Sequence, residues 1–182
     1  MAKKAAKAKV LSSEVLFQGR VFGVRRDRVI EPDGIRAVRE LVTHPGSVVV
    51  LPIFPDGRIL LVRQFRYVAG RYLWELVAGR KEKNESFAQG ARRELQEEAG
   101  YTARRWTKML EIYPSPGLLN ERMVLFMARE LKKGQPHPED DEKITPRLFT
   151  LEAAERWIKS GKIRDAKSVA GILYYARFIA RH

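Results

Sequence analysis

Three glutamates, Glu94, Glu97 and Glu98, stand at i, i+3 and i+4 in a segment whose apolar residues also repeat with a helical period. Phe87, Ala88, Ala91, Leu95 and Ala99 fall at i, i+1, i+4, i+8 and i+12, one stripe down a helix. Together the two patterns predict a helix over Glu85–Ala99 that buries one face and crowds like charges on another. Gly100 follows as a C′ residue that ends it. Carboxylates so close repel, so something must offset them: Arg92 and Arg93 in part, a divalent cation far more. Hard oxygen ligands, in a chain without Cys and with no His nearby, suit Mg²⁺ or Mn²⁺ rather than zinc. Taken alone, such a run is most often a solvated acidic face.

The flanking sequence supplies a frame for that helix. Val15–Val24, Arg26–Glu31 and Ile35–Thr43 read as short strands, with a turn at Glu31-Pro32-Asp33-Gly34. Glu14 to Gly19 (EVLFQG) coincides with a viral-protease cleavage motif, but Val15, Phe17, Val21 and Val24 suit a strand. Ser47–Phe54 is almost purely apolar, as a strand buried on both faces should be, and Arg58–Tyr67 follows a Pro55-Asp56-Gly57 turn. Strands are expected again at Trp106–Tyr113, Met123–Glu130 and Arg147–Thr150. Helices are expected at Leu151–Ser160 and from Asp165 or Ala166 to Ala180, with Asp165 as N-cap. The order predicts an α+β chain: an α/β/α sandwich on a mixed central sheet, plus a small N-terminal antiparallel β unit. The expected division is a flexible basic head over 1–14, the β unit over 15–44, and the main domain over 45–182.

Composition narrows the chemistry. With no Cys there are no disulfides, thiolate metal sites or Cys nucleophile, which suits a cytoplasmic protein. No apolar run is long enough to span a bilayer, so no membrane partner is expected. The formal charge of +13 suits either a nucleic-acid binder or an enzyme for small polyanions. Lys3, Lys4, Lys7 and Lys9 sit in the Ala/Lys-rich head, and the remaining basic residues are interleaved with acids. That distribution reads as a solvated surface, and nucleic acid is not the expected partner.

The spacing around the acids changes their reading. Gly79, five residues, Glu85, seven residues, Arg93-Glu94-Leu95, one residue, Glu97-Glu98, one residue, Gly100-Tyr101 makes nine constrained positions. This resembles the Nudix box, with an aromatic at its last apolar position. VRQFRY (62–67), WELVAG (74–79), Ser115-Pro116-Gly117 and GKIRDA (161–166) resemble the ADP-ribose pyrophosphatase group, as does Pro116, 15 residues after Tyr101. Val77 stands where that group usually has proline.

The resemblance implies a Nudix fold, a divalent cation, and hydrolysis of a nucleoside diphosphate such as ADP-ribose to AMP and ribose 5-phosphate. By position it implies Glu94, Glu98 and Glu97 as metal ligands, with the Ala78 carbonyl as a further one. Arg93 would orient a glutamate, and Glu85 would lie in the loop before the helix. Arg66, with Arg63, would meet the diphosphate, as the guanidinium fork suits phosphate oxygens. Glu121 and Ser115 would lie on the substrate side. The general base would come from the later acidic loop, Glu142 first and Glu139 second. The resemblance also implies a homodimer that exchanges N-terminal strands. Three rivals stay open: a different Nudix substrate (a nucleotide sugar, NADH or a dinucleoside polyphosphate), a non-catalytic nucleotide- or RNA-binding Nudix domain, and a purely structural acidic helix.

Overall fold

The computed structural model describes residues 6–136 and 143–180. Two compact units are distinguished: Met1–Pro45 with Ser115–Glu121, and Gly46–Pro114 with Arg122–His182. In the first, β1 (Lys9–Gln18), β2 (Gly23–Ile30) and β3 (Arg36–Thr43) form an antiparallel sheet in that order. The turn between β2 and β3 closes with the Gly34 N–H donating to the Glu31 carbonyl at 2.9 Å, and Gly34 takes the positive φ of 88° that glycine allows.

Strand β1 begins at Lys9, not Val15, so part of the expected flexible head is paired sheet, from Lys9↔Ile30 to Glu14↔Arg26. A long-range bond helps to hold it there: the Ser13 hydroxyl donates to the buried Asp27 carboxylate at 2.7 Å. Composition cannot show such a contact. The Ser115–Glu121 segment also groups with this unit rather than with the main domain. The Val42 N–H donates to the Leu118 carbonyl (2.8 Å) and the Asn120 N–H to the Val42 carbonyl (3.1 Å).

In the second unit the order is β4 (Ser47–Pro52), β5 (Ile59–Arg66), β6 (Arg71–Glu75), β7 (Val77–Arg80), α1 (Phe87–Ala99), β8 (Tyr101–Ile112), β9 (Met123–Lys133), β10 (Thr145–Phe149), α2 (Leu151–Lys159) and α3 (Ala166–Phe178). Strand β4 is buried throughout, parallel to β9 on one side and antiparallel to β7 on the other. Its side chains alternate between two cores. Val49 and Leu51 pack with Ala154 of α2 and with Ile172 and Tyr175 of α3; Val48 and Val50 pack with Ala91, Leu95 and Ala99 of α1. Helices therefore cover both faces, the α/β/α arrangement the sequence suggests. The strands form two sheets, β7-β4-β9-β8 and β10-β5-β6, instead of one. Strands β6 and β7 escaped the sequence reading because each is short and WELVAG lacks a clear alternation. Gly171 lets α3 lie close to the sheet, since a β-carbon there would fall 2.8 Å from Leu76 Cδ1 and 2.9 Å from Leu125 Cδ2.

Candidate active site

Helix α1 is set in place by its ends. Ser86 is the N-cap of a capping box: its hydroxyl accepts from the Gln89 N–H (3.2 Å), and the Gln89 side-chain oxygen accepts from the Ser86 N–H (2.8 Å). The helix thus starts after Glu85, whose carboxylate accepts from the Glu82 N–H at 2.7 Å in the preceding loop. Gly100 closes the other end in the left-handed conformation, φ 68°. With its apolar stripe against β4, the helix turns Glu94 and Glu98 inward. They are only 8% and 5% exposed, uncommon for carboxylates, while Glu97 is half-buried.

Both buried acids meet strand β7. Glu98 accepts from the Ala78 N–H at 3.1 Å. Strand β7 is the edge of its sheet, and Ala78 faces Val49 of β4 across the antiparallel ladder. A residue's N–H and C=O point to the same side in such a ladder, so the Ala78 carbonyl also points to the open edge. Glu94 lies against Gly79, so close that any β-carbon there would collide with its carboxylate.

Arg93 ties the acids together. Its Nη1 donates to Glu94 Oε1 (2.7 Å) and Glu97 Oε2 (2.8 Å). Its Nη2 donates to Glu85 Oε1 (2.9 Å) and to the Arg80 carbonyl (3.0 Å). Burial lowers the Arg93 pKa, but the hydrogen bond to Glu85 and the charge of Glu94 outweigh it and raise the pKa above the usual arginine value. The same hydrogen bond lowers the Glu85 pKa. Among the described residues no three acids converge tightly enough to enclose an ion, because the guanidinium stands between them. The donor set nonetheless fits a hard cation: carboxylates and a backbone carbonyl, with Gly79 leaving the space in which the Glu94 carboxylate sits.

A second charged group lies beside the first. Arg66, at the end of β5, forms a fork on Glu75 of β6, with Nε to Oε1 and Nη2 to Oε2, both 2.8 Å. The charge of Glu98 adds to the field that raises the Arg66 pKa, after the Glu75 hydrogen bonds. Glu75 is 1% exposed and also accepts from Lys167 Nζ at 2.5 Å. Burial pushes the Glu75 carboxyl up, but the Arg66 hydrogen bonds and the Lys167 charge hold it down to about 2. Arg63 stands three residues before Arg66 on the other face of β5, with its guanidinium 4.5 Å from the Tyr72 ring centre.

The residues singled out from sequence thus separate into three sets. The structure brings together Ala78, Arg93, Glu94, Glu97 and Glu98, with Arg66 near Glu98. Glu121 and Ser115 belong to the other unit. There Glu121 is buried, with His44 Nδ1 at 3.5 Å from Oε1, and the Ser115 carbonyl accepts from the Leu118 and Leu119 N–H groups. Glu139 and Glu142 lie outside the described residues. Sequence reasoning missed Glu75, Lys167 and Ser168; an acid in the apolar run before Gly79 was the available signal.

Comparison with known proteins accords with this geometry. Residues 43–171 match the NUDIX domain family, and residues 9–42 match the nucleoside diphosphate sugar hydrolase N-terminal domain. An ADP-ribose pyrophosphatase of Bacillus subtilis (strain 168) is 38% identical over 173 residues, 94% of each chain. A methanol dehydrogenase activator of Bacillus methanolicus is 34% identical over 173 residues, again 94% of each. A solved structure described as an ADP compounds hydrolase shares the fold, with a TM-score of 0.81, 22% identity and coverage of 98% of this chain and 97% of that one. Nudix hydrolases generally use divalent metal cations. With the box geometry in place and the family model spanning most of its length, the chain belongs to the Nudix family.

Proposed function

We propose that this Nudix hydrolase cleaves the diphosphate of ADP-ribose, or of a related nucleoside diphosphate sugar, to give AMP and ribose 5-phosphate. The observation that carries the reading is the burial of Glu94 and Glu98 against the Ala78–Gly79 edge, where two carboxylates are held inside an apolar framework. Buried anions persist when they are paired or bind metal. Glu94, Glu98, Glu97 and the Ala78 carbonyl are the groups that would hold a divalent cation, Mg²⁺ or Mn²⁺. When bound, such an ion neutralises phosphate oxygens and makes water a better nucleophile.

The chain's own side chains do the remaining work. Arg93 aligns Glu85, Glu94 and Glu97. Arg66 offers its guanidinium to the diphosphate. Glu142, or Glu139 in its place, takes the proton from the attacking water as the phosphorus–oxygen bond breaks. The unit formed by β1, β2 and β3 supports a homodimer with exchanged N-terminal strands. Strand β1 is exposed along its whole length, and Val10, Leu11, Val15, Leu16 and Phe17 are exposed with it. The cysteine-free sequence suits a cytoplasmic setting.

The test is a panel of ADP-ribose, nucleotide sugars, NADH and dinucleoside polyphosphates, assayed with Mg²⁺ and with Mn²⁺, with products identified. Release of AMP and ribose 5-phosphate from ADP-ribose, faster than turnover of the others, is the expected result. Equal turnover across the panel refutes the substrate assignment.

A further inference from the structure

The interior of the second unit holds a charged circuit that the box does not explain. Glu75 has both carboxylate oxygens engaged: Oε1 by Arg66 Nε, and Oε2 by Arg66 Nη2 and Lys167 Nζ. Lys167, 9% exposed, is also 3.0 Å from Asp165 Oδ1. Asp165 is the N-cap of α3, accepting from the Ser168 N–H (3.0 Å) and hydroxyl (2.5 Å). The fully buried Ser168 hydroxyl in turn accepts from the Leu76 N–H at 2.7 Å, beside Glu75. The chain of contacts closes on itself and ties β6 to the start of α3.

Burying the ionised Glu75 and Lys167 is costly, and apolar residues of similar size often serve stability as well or better. Stability alone is therefore a weak reason for the circuit. Its most exposed member is Arg66, with 38% of its side chain accessible against 17% for Asp165. With Nε and Nη2 committed to Glu75, the guanidinium plane is fixed, and among the described residues Nη1 carries no hydrogen bond. A free arginine would lose side-chain freedom on gripping a phosphate; one already locked loses less. Glu75 left alone would cancel the charge of Arg66, and the Lys167 ammonium on the same carboxylate oxygen offsets that loss.

We propose that Glu75 and Lys167 are positioning residues that pre-orient Arg66 for a diphosphate oxygen, so that α3 helps to set substrate affinity. This rests on the reading of Arg66 given under the proposed function. It adds that the KIRDAKS stretch (162–168) serves the site through Arg66 and not through its own contact with substrate.

The experiment is a double-mutant cycle on the full chain: Arg66→Ala, Glu75→Gln, Lys167→Met, and each of the last two combined with Arg66→Ala. kcat and KM for ADP-ribose are measured, together with the Kd for ADP by calorimetry, each corrected for the folded fraction from circular dichroism. Glu75→Gln and Lys167→Met should each weaken ADP binding and raise KM on the order of tenfold, the scale of a hydrogen bond to a charged group. In the Arg66→Ala background neither should weaken binding further. Additive losses in that background, or single variants that lower thermal stability but leave Kd and KM unchanged, would overturn the proposal. If ADP-ribose is not hydrolysed at all, the proposed function fails, and the ADP-binding cycle still decides this inference. If Arg66→Ala leaves ADP binding unchanged, both the Arg66 assignment and this proposal fall.

Discussion

A β-carbon placed on Gly79 would fall 1.9 Å from Oε1 of Glu94 and 2.1 Å from its Cδ. The Glu94 carboxylate of α1 can lie against β7 there because residue 79 has no side chain. In Gly79→Ala the Glu94 carboxylate must leave its place, at an overpacking cost of about 1–3 kcal/mol. Thermal denaturation should show that loss, and hydrolysis should fall much further than the folded fraction. An alanine variant with full turnover would show that Glu94 need not sit there.

Glu98 is buried, and its Oε2 accepts from the Ala78 N–H. Glutamine can accept the same bond but is a poor ligand for a hard cation. Glu98→Gln should fold with near-native stability yet lose turnover by orders of magnitude, and added Mn²⁺ should not restore it. A solvated acidic face would predict little change in rate, so steady-state kinetics beside a melting curve separate the two.

Arg93 forms ion pairs with three glutamates at once and offsets part of their repulsion. Arg93→Met leaves them facing one another without compensation. Because the guanidinium is partly exposed, screening trims the penalty, and a loss of about 2 kcal/mol is expected. Mg²⁺ should recover part of it, so the cation should raise the melting temperature more in the variant than in the wild type. Equal shifts would argue that the acids do not share an ion.

The Glu75 carboxyl is held at about 2, below its ordinary value of 4.5. A depressed folded-state pKa means the stabilisation is fully present above about 4.5 and is lost as pH falls toward 2. The size is up to about 3 kcal/mol from the shift alone. Denaturant unfolding from pH 6 down to pH 2 should therefore show a steeper loss in the wild type than in Glu75→Gln. Parallel curves would mean that another group carries the acid sensitivity.

Val15 is 66% exposed and Phe17 is 51% exposed, on a strand with no neighbour on its outer edge among the described residues. Analytical ultracentrifugation should find a dimer. Val15→Asp combined with Phe17→Asp should give monomers whose second unit keeps its circular dichroism signature. A wild-type monomer, or an unaffected double variant, would refute the exchanged-strand assembly.

Several features were legible in the sequence because their causes are local. The stripe from Phe87 to Ala99, the cap at Asp165 and the stop at Gly100 follow from periodicity, a short polar side chain and a tolerated positive φ, and the structure has all three. The box spacing singled out Glu94 and Glu98 as candidate metal ligands, and the structure buries both. The N-terminal strand was placed too late, because its first residues are held by pairing with β2, Lys9 against Ile30 onward, which their own residue types do not announce.

Tertiary structure decided what no spacing could. Glu94 and Glu98 became buried acids only when α1 met β7, and the missing side chain of Gly79 matters only in that contact. Glu75 and Lys167 are 92 positions apart, so their ion pair depends on α3 closing over the sheet at Gly171. Residue type and period determine which chemistry is available and which elements form. Burial and long-range pairing, which depend on the whole fold, determine which charges meet.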